Sequence, residues 1–263
     1  MTILRCGLIL LCLAGAMRTV ASAEVLEIEP RAGVFLRMLI ELPPEAKAIA
    51  MLFPGGKGIV RINADGSIRG TTGNFLTRSR NLFAAGGIGT ALVDAPSDRW
   101  NRDGLTYAYR MSAEHMAEIG QAIAALRERY PELLVWLVGT IRGTLDAAGA
   151  AAGLADKGPD GLVLTASIGA SGKQDGTVLD FALERIAIPT LLVHHLEDEC
   201  AVTPPAGAGR IRSRLTGTPT AALILVDGGD SGHGRTCGAT TPHGFLGIEH
   251  KVVAAIAAWI ADH

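Results

Sequence analysis

Hydrolysis of an acyl bond needs three side chains that a chain must bring together. These are a nucleophile, an imidazole to take its proton, and a carboxylate to hold the imidazole in the right tautomer. Two of them stand here in fitting contexts. Asp198 lies in Leu192-Val193-His194-His195-Leu196-Glu197-Asp198-Glu199-Cys200, just past an apolar run. Catalytic groups sit at such carboxyl ends of strands in open α/β sheets. Glu197 and Glu199 flank it, so an ordinary acidic loop is the plain alternative. His243, in Pro242-His243-Gly244-Phe245-Leu246-Gly247-Ile248-Glu249, precedes the last helical run and is read as the base. His233, in Asp230-Ser231-Gly232-His233-Gly234, is the runner-up, because either loop lets a histidine lean over a sheet. His194, His195 and His250 read as structural or exposed.

The place for a nucleophile is Val138-Gly139-Thr140-Ile141-Arg142-Gly143-Thr144. A strand-like run, Leu133 to Val138, leads in, and an Ala-rich helical run, Thr144 to Ala155, follows. Strand, G-x-S-x-G, helix is a nucleophile elbow, a sharp turn that presents a serine hydroxyl above the sheet. Gly139 and Gly143 keep the frame, but Ile141 stands where the serine belongs. Isoleucine has no lone pair with which to attack a carbonyl. Holding a β-branched residue in such a turn costs about 1–3 kcal/mol, and its bulk fills the space for a substrate carbonyl. Thr140 and Thr144 are close, but an elbow aims only its central side chain at the base. Gly55 and Gly56 follow an apolar run, Ala48–Phe53, and suit an oxyanion hole. There the Gly56 and Arg142 N–H groups would face a developing oxyanion. A plain glycine turn is the structural alternative, and Lys57 beside it reads as a solvated side chain.

These residues need a sheet with helices on both faces. Short apolar runs alternate with helical ones, the pattern of a mainly parallel sheet of about eight strands. Val25–Ile28, Val34–Leu42, Ala48–Phe53, Thr90–Val93, the elbow strand, Leu162–Ala166, Thr190–His194 and Ala222–Val226 read as strands. Helices are expected around Asn74–Ala84, ending at Gly86-Gly87, then from a Ser112 cap to about Arg129, and over Ile248–Ala261. Met116, Ile119, Ile123 and Leu126 fall at helical spacing,. Gly86-Gly87-Ile88-Gly89 precedes a strand, so it is a helix-ending turn and not a phosphate loop. The short interval before Thr190 has room for one short helix, Val178–Arg185, and so for little or no lid.

The chain has 263 residues, 48% of them hydrophobic, enough for one domain with a large core,. Net charge is −2 with no basic block, so no nucleic-acid partner is expected,. Arg5, the apolar stretch Cys6 to Met17 and Ala21-Ser22-Ala23 read as a secretory signal peptide cleaved before Glu24,. The apolar stretch is short for a membrane span, so residues 24–263 form the single mature domain with no stable membrane insertion. Its address is periplasmic or extracellular. Cleavage removes Arg5 and Arg18, leaving 22 basic against 26 acidic residues. It also leaves two cysteines, Cys200 and Cys237, both beside loops assigned to the site. In an exported protein such a pair suggests one disulfide, the alternative being two separate thiols. The histidines are scattered and no H-x-x-x-H or C-x-x-C occurs, so neither metal nor cofactor is expected,.

Together these pieces resemble the α/β-hydrolase superfamily over essentially all of residues 24–263. The chain looks like a compact, exported bacterial branch in which the elbow reads VGTSRGT, the acid lies in HH-x-x-D-x-C and the histidine in HGF-x-GIE. The corresponding segments are Val138–Thr144, His194–Cys200 and His243–Glu249. Val93 to Asp98 and Arg110 to His115 are similar too. The resemblance implies hydrolysis of a small-molecule ester or related acyl bond, without naming a substrate or an oligomeric state. Ile141 departs from it. One base change, AGC to ATC, converts serine to isoleucine, so a disabled esterase is one expectation. A non-catalytic pseudo-hydrolase that binds a small molecule or partner in the retained pocket is the other.

Overall fold

The structure is a computed structural model that describes residues 22–172 and 176–263. Of the signal-peptide reading, which covers residues 1–23, residues 1–21 therefore lie outside the described residues. The order of elements is β1 (Ser22–Arg31), β2 (Val34–Leu42), β3 (Ala48–Phe53), α1 (Phe75–Ser79), β4 (Ile88–Val93), α2 (Tyr107–Arg110), α3 (Ala113–Arg129) and β5 (Leu134–Thr140). Then come α4 (Gly143–Gly153), β6 (Gly161–Thr165), β7 (Thr190–His195), α5 (Pro205–Arg214), β8 (Ala221–Val226) and α6 (Glu249–Asp262). The cleavage point expected before Glu24 falls inside β1, where Ser22 pairs with Leu42 and Ala23 with Glu41.

One 8-stranded sheet runs β1-β2-β4-β3-β5-β6-β7-β8. The β1–β2 and β2–β4 pairs are antiparallel and all others parallel. Central strands of such a sheet are covered on both faces, so both alternate sets of side chains must be apolar. In β3, Ile49, Met51 and Phe53 enter the core beneath α3, α4 and α5. Ala48, Ala50 and Leu52 enter the opposite core with Phe75 of α1 and Val252, Ile256 and Ile260 of α6. The segment Pro242–Asp262 is long and apolar enough for a membrane span, but its apolar face is spent on this second core.

Helix α3 starts where the Ser112 hydroxyl accepts the His115 N–H at 3.2 Å, as an N-cap should. Ile119, Ile123 and Leu126 are buried and Met116 packs against them at the edge. Three local expectations are revised. The helix expected over Asn74–Ala84 is α only to Ser79, and Arg80–Gly86 tightens into a 3-10 turn. The tightening ends at Gly87, in the left-handed conformation at φ 73°. The helix expected over Val178–Arg185 is two 3-10 turns, Val178–Asp180 and Leu183–Arg185, with extended backbone at Phe181 between them. Asp180 closes the first turn by accepting the Thr177 N–H at 2.6 Å and its hydroxyl at 3.0 Å. Helix α5 was not foreseen. Gly207 and Gly209 weaken its helical signal, and Pro205 at its first turn starts it,.

Candidate active site

The carboxyl ends of β3, β5 and β7 open onto one edge of the sheet, where the parallel strands hand over to loops,. After β5 the chain turns at Ile141, whose φ is 55°, and enters α4 at Gly143. The turn is possible because backbone meets backbone without side chains. A Cβ on Gly139 would stand 2.4 Å from the Gly143 carbonyl oxygen, and one on Gly143 only 1.9 Å from that of Phe53. Left-handed backbone is strained for a β-branched residue, and the Ile141 N–H holds the turn by donating to Thr165 O at 3.1 Å. The Thr144 hydroxyl donates to the Ile141 carbonyl at 2.5 Å and accepts the Ile168 N–H at 3.3 Å. Its hydrogen bonds therefore tie the turn to the segment after β6. Thr140 is buried within the sheet edge.

Asp198 and His243 meet although 45 residues separate them. His243 Nδ1 lies 3.0 Å from Asp198 Oδ2 and 3.1 Å from Oδ1, with both side chains buried. Asp198 Oδ1 also accepts the Cys200 N–H at 2.9 Å, and Oδ2 accepts the Thr203 hydroxyl at 2.9 Å. A carboxylate so placed accepts a hydrogen bond from Nδ1–H, which fixes the tautomer and leaves Nε2 as the acceptor nitrogen. That Nε2 is enclosed and has no partner among the described residues. Phe245, left-handed at φ 60°, ends the 3-10 turn Pro242–Gly244 that carries the histidine. Arg78 of α1 clamps this loop, donating to Gly244 O at 2.6 Å and to Glu249 Oε1 at 2.9 Å. Sequence reasoning missed Thr203 and Arg78, which lie in no motif and matter only through folding.

Cys200 and Cys237 are joined in a disulfide with Cα atoms 4.7 Å apart. Asp198, Cys200 and His243 form a group of three metal-competent side chains. The sulfur is oxidised and the other two bind each other, so the donor set does not fit a metal. His233 is exposed, and its carbonyl, not its ring, meets the Thr240 hydroxyl. His194 is buried beneath the site, where its Nε2 accepts the Ser167 N–H at 2.8 Å. Burial pushes its pKa down to about 4, because desolvation penalises the charged ring,. His195 Nε2 donates to Gly228 O at 2.9 Å, while its Nδ1 accepts the Glu197 N–H.

Gly55 and Gly56 pass directly over the turn: a Cβ on Gly55 would lie 2.9 Å from that of Ile141. The loop beyond them is tied down by the buried Asp94, which accepts the N–H groups of Val60 at 2.7 Å and Ile62 at 2.8 Å. Beneath it runs a second feature that sequence reasoning left without a role. The buried Arg110 guanidinium bonds Asp146 of α4 and reaches the carbonyls of Pro54 and Gly56, each at 3.4 Å. Asp146 Oδ1 faces His115 Nε2 at 3.2 Å, and Glu118 Oε2 faces His115 Nδ1 at 3.1 Å. Burial alone would lower the His115 pKa, but the two carboxylates outweigh it and the pKa is raised. Glu118 is held low, because hydrogen bonds from His115, Tyr109 and Arg31 outweigh its desolvation.

A cavity of about 960 Å³ opens over the turn, bounded by Gly55, Gly56, Ile141, Ile168 and Val202 among others. No protein-family model matches the sequence, and neither does any curated protein. Solved structures do match. A dienelactone hydrolase from Anabaena variabilis superposes with a TM-score of 0.65 at 13% identity, covering 93% of this chain and 99% of that one. An esterase from Pyrococcus furiosus gives 0.63 at 15%, covering 92% and 93%. A serine hydrolase without a lid from Xanthomonas campestris gives 0.59 at 14%, covering 91% and 94%. At such identities the likeness speaks for the arrangement of the backbone. With the strand order and the carboxyl-edge cleft, it establishes that this chain has the α/β-hydrolase fold.

Proposed function

We propose that the chain is of serine carboxylic-ester hydrolase type and that this copy is impaired or inactive because Ile141 occupies the nucleophile position. The observation that carries this reading is the buried Asp198–His243 pair, 3.0 Å apart, with His243 Nε2 lacking any described partner. A retained acceptor nitrogen is what a serine hydroxyl needs as its base. In the working form a serine at 141 would attack the acyl carbon as His243 took its proton. Asp198 would hold the imidazolium. The N–H groups of Gly56 and Arg142 would stabilise the oxyanion, and His243 would then protonate the leaving alcohol. The disulfide supports an exported protein, periplasmic or extracellular, since such bonds persist in oxidising compartments,.

The test compares hydrolysis of p-nitrophenyl butyrate by the unaltered protein and by Ile141→Ser. We expect the serine variant to exceed the unaltered protein by about 10³-fold or more, and His243→Gln in the serine background to remove that gain. Turnover by the pure unaltered protein would overturn the assignment of position 141. A second reading, a pseudo-hydrolase that binds in the retained pocket, is favoured by one observation: Ile141 packs against both apolar cores. An inactive serine variant would support it.

A further inference from the structure

We infer that the cleft binds a carboxylate carrying a short apolar chain, with the chain on the floor over Ile141 and the carboxylate held at a cationic end. This goes beyond the hydrolase reading, because it rests on the lining of the cleft and does not require position 141 to react.

The cavity over Ile141 adjoins a second one of about 600 Å³, and the two share Lys57, Tyr107 and Arg142. They form one trough with unlike ends. The floor near the turn is made by Ile141, Ile168, Val202 and Ala239 together with the Cys200–Cys237 bond. The described lining brings in four cations, Lys57, Arg102, Arg142 and Arg235, against one carboxylate, Asp103. The whole chain has the opposite balance, 24 basic to 26 acidic residues. Lys57, Arg102 and Arg142 line the outer cavity, and Arg235 lines only the cavity over the turn. Lys57 stands where the two cavities meet and Arg102 lines the outer one, and neither side chain makes an ion pair among the described residues. Arg142 lies over the Tyr107 ring, 4.7 Å from its centroid, so a cation overhangs the junction of the two cavities. Glu197 and Glu199 line a separate cavity that also borders His243. The field along the cleft therefore favours an anion in the cavity of Lys57, Arg102 and Arg142 and disfavours one in the cavity of Glu197 and Glu199,. An apolar wall with a few convergent charges is how a small-molecule site fixes orientation. Ile141 strengthens the apolar end, where a serine would have been polar.

The test is calorimetric titration of the purified, unaltered protein with hexanoate, hexanamide and acetate at low ionic strength. Hexanamide keeps the chain and removes the charge, and acetate keeps the charge and removes most of the chain. Hexanoate is expected to bind about tenfold more tightly than either, and added salt to narrow its margin over hexanamide. Lys57→Gln with Arg102→Gln should weaken hexanoate by about tenfold at an unchanged Tm, since both side chains are exposed,. Arg102→Gln alone, which should weaken hexanoate by less than the pair does, provides a second variant should that pair fold poorly. Equal binding of hexanoate and hexanamide, equal binding of hexanoate and acetate, or no binding of any would overturn the proposal. So would variants that bind hexanoate as tightly as the parent. Hydrolysis by Ile141→Ser is read separately, so the hydrolase reading can fail while this one stands, and the reverse.

Discussion

Two buried histidines, His194 in β7 and His115 in α3, should give opposite responses to pH. The native pKa of His194 is pushed down to about 4 from the ordinary histidine value of about 6.5, chiefly by burial,. The unfolded chain therefore takes up this proton first as the pH falls. Stability is complete above about pH 6.5 and declines by about 3 kcal/mol as the pH approaches 4. His115 is raised instead, so its protonated form is favoured by folding. Its contribution is complete below about pH 6.5 and is lost as the pH rises through the native value. Denaturant midpoints measured between about pH 4 and 9 should fall at both ends. His115→Gln should flatten the alkaline limb and leave the acid limb in place. An acid limb unchanged in His194→Gln would show that another group causes it.

At the scale of elements, the turn between β5 and α4 is decided by contact distance. Gly143 lies where any Cβ would overlap the Phe53 carbonyl, which belongs to the neighbouring β3. Backbone cannot step aside as a side-chain tip can. Gly143→Ala should therefore cost more than about 3 kcal/mol and displace the Gly55–Gly56 loop with it. A chemical unfolding curve within about 1 kcal/mol of the parent would show that the strand and helix can separate more easily than packed elements usually do. The Arg110–Asp146 pair makes the same junction from below, joining α2 to α4 and reaching the loop of Gly56.

Across the whole molecule, the disulfide closes a loop spanning 37 residues of sequence, from the Asp198 loop through α5 and β8 to the stretch before His243. Cross-linking a loop of that length should contribute about 2–4 kcal/mol. Reduction, or replacement of both cysteines by serine, should lower the unfolding free energy by that amount. Because Asp198 stands two residues before Cys200 and also bonds its N–H, loosening should reach the Asp198–His243 pair. In an Ile141→Ser background it should reduce kcat more than it changes KM. A thiol assay finding two free thiols in the unfolded, unreduced protein would remove the premise.

The local pattern of the chain was enough for the parallel strands and for the tight turn framed by Gly139 and Gly143. Buried strands read as apolar runs, and a turn that admits no Cβ must be built from glycine. Asp198 and His243 were legible as candidates from their places after a strand and before the closing helix. Their meeting was not, because a 3.0 Å contact across 45 residues depends on how the sheet stacks its loops. The exposure of His233 and the bond between Cys200 and Cys237 were decided in the same way. Thr203, Arg78 and the buried Arg110–Asp146–His115 cluster carry no sequence signature for their roles. Their effect comes from burial, which strengthens each polar contact by excluding water, and burial exists only once the chain has folded.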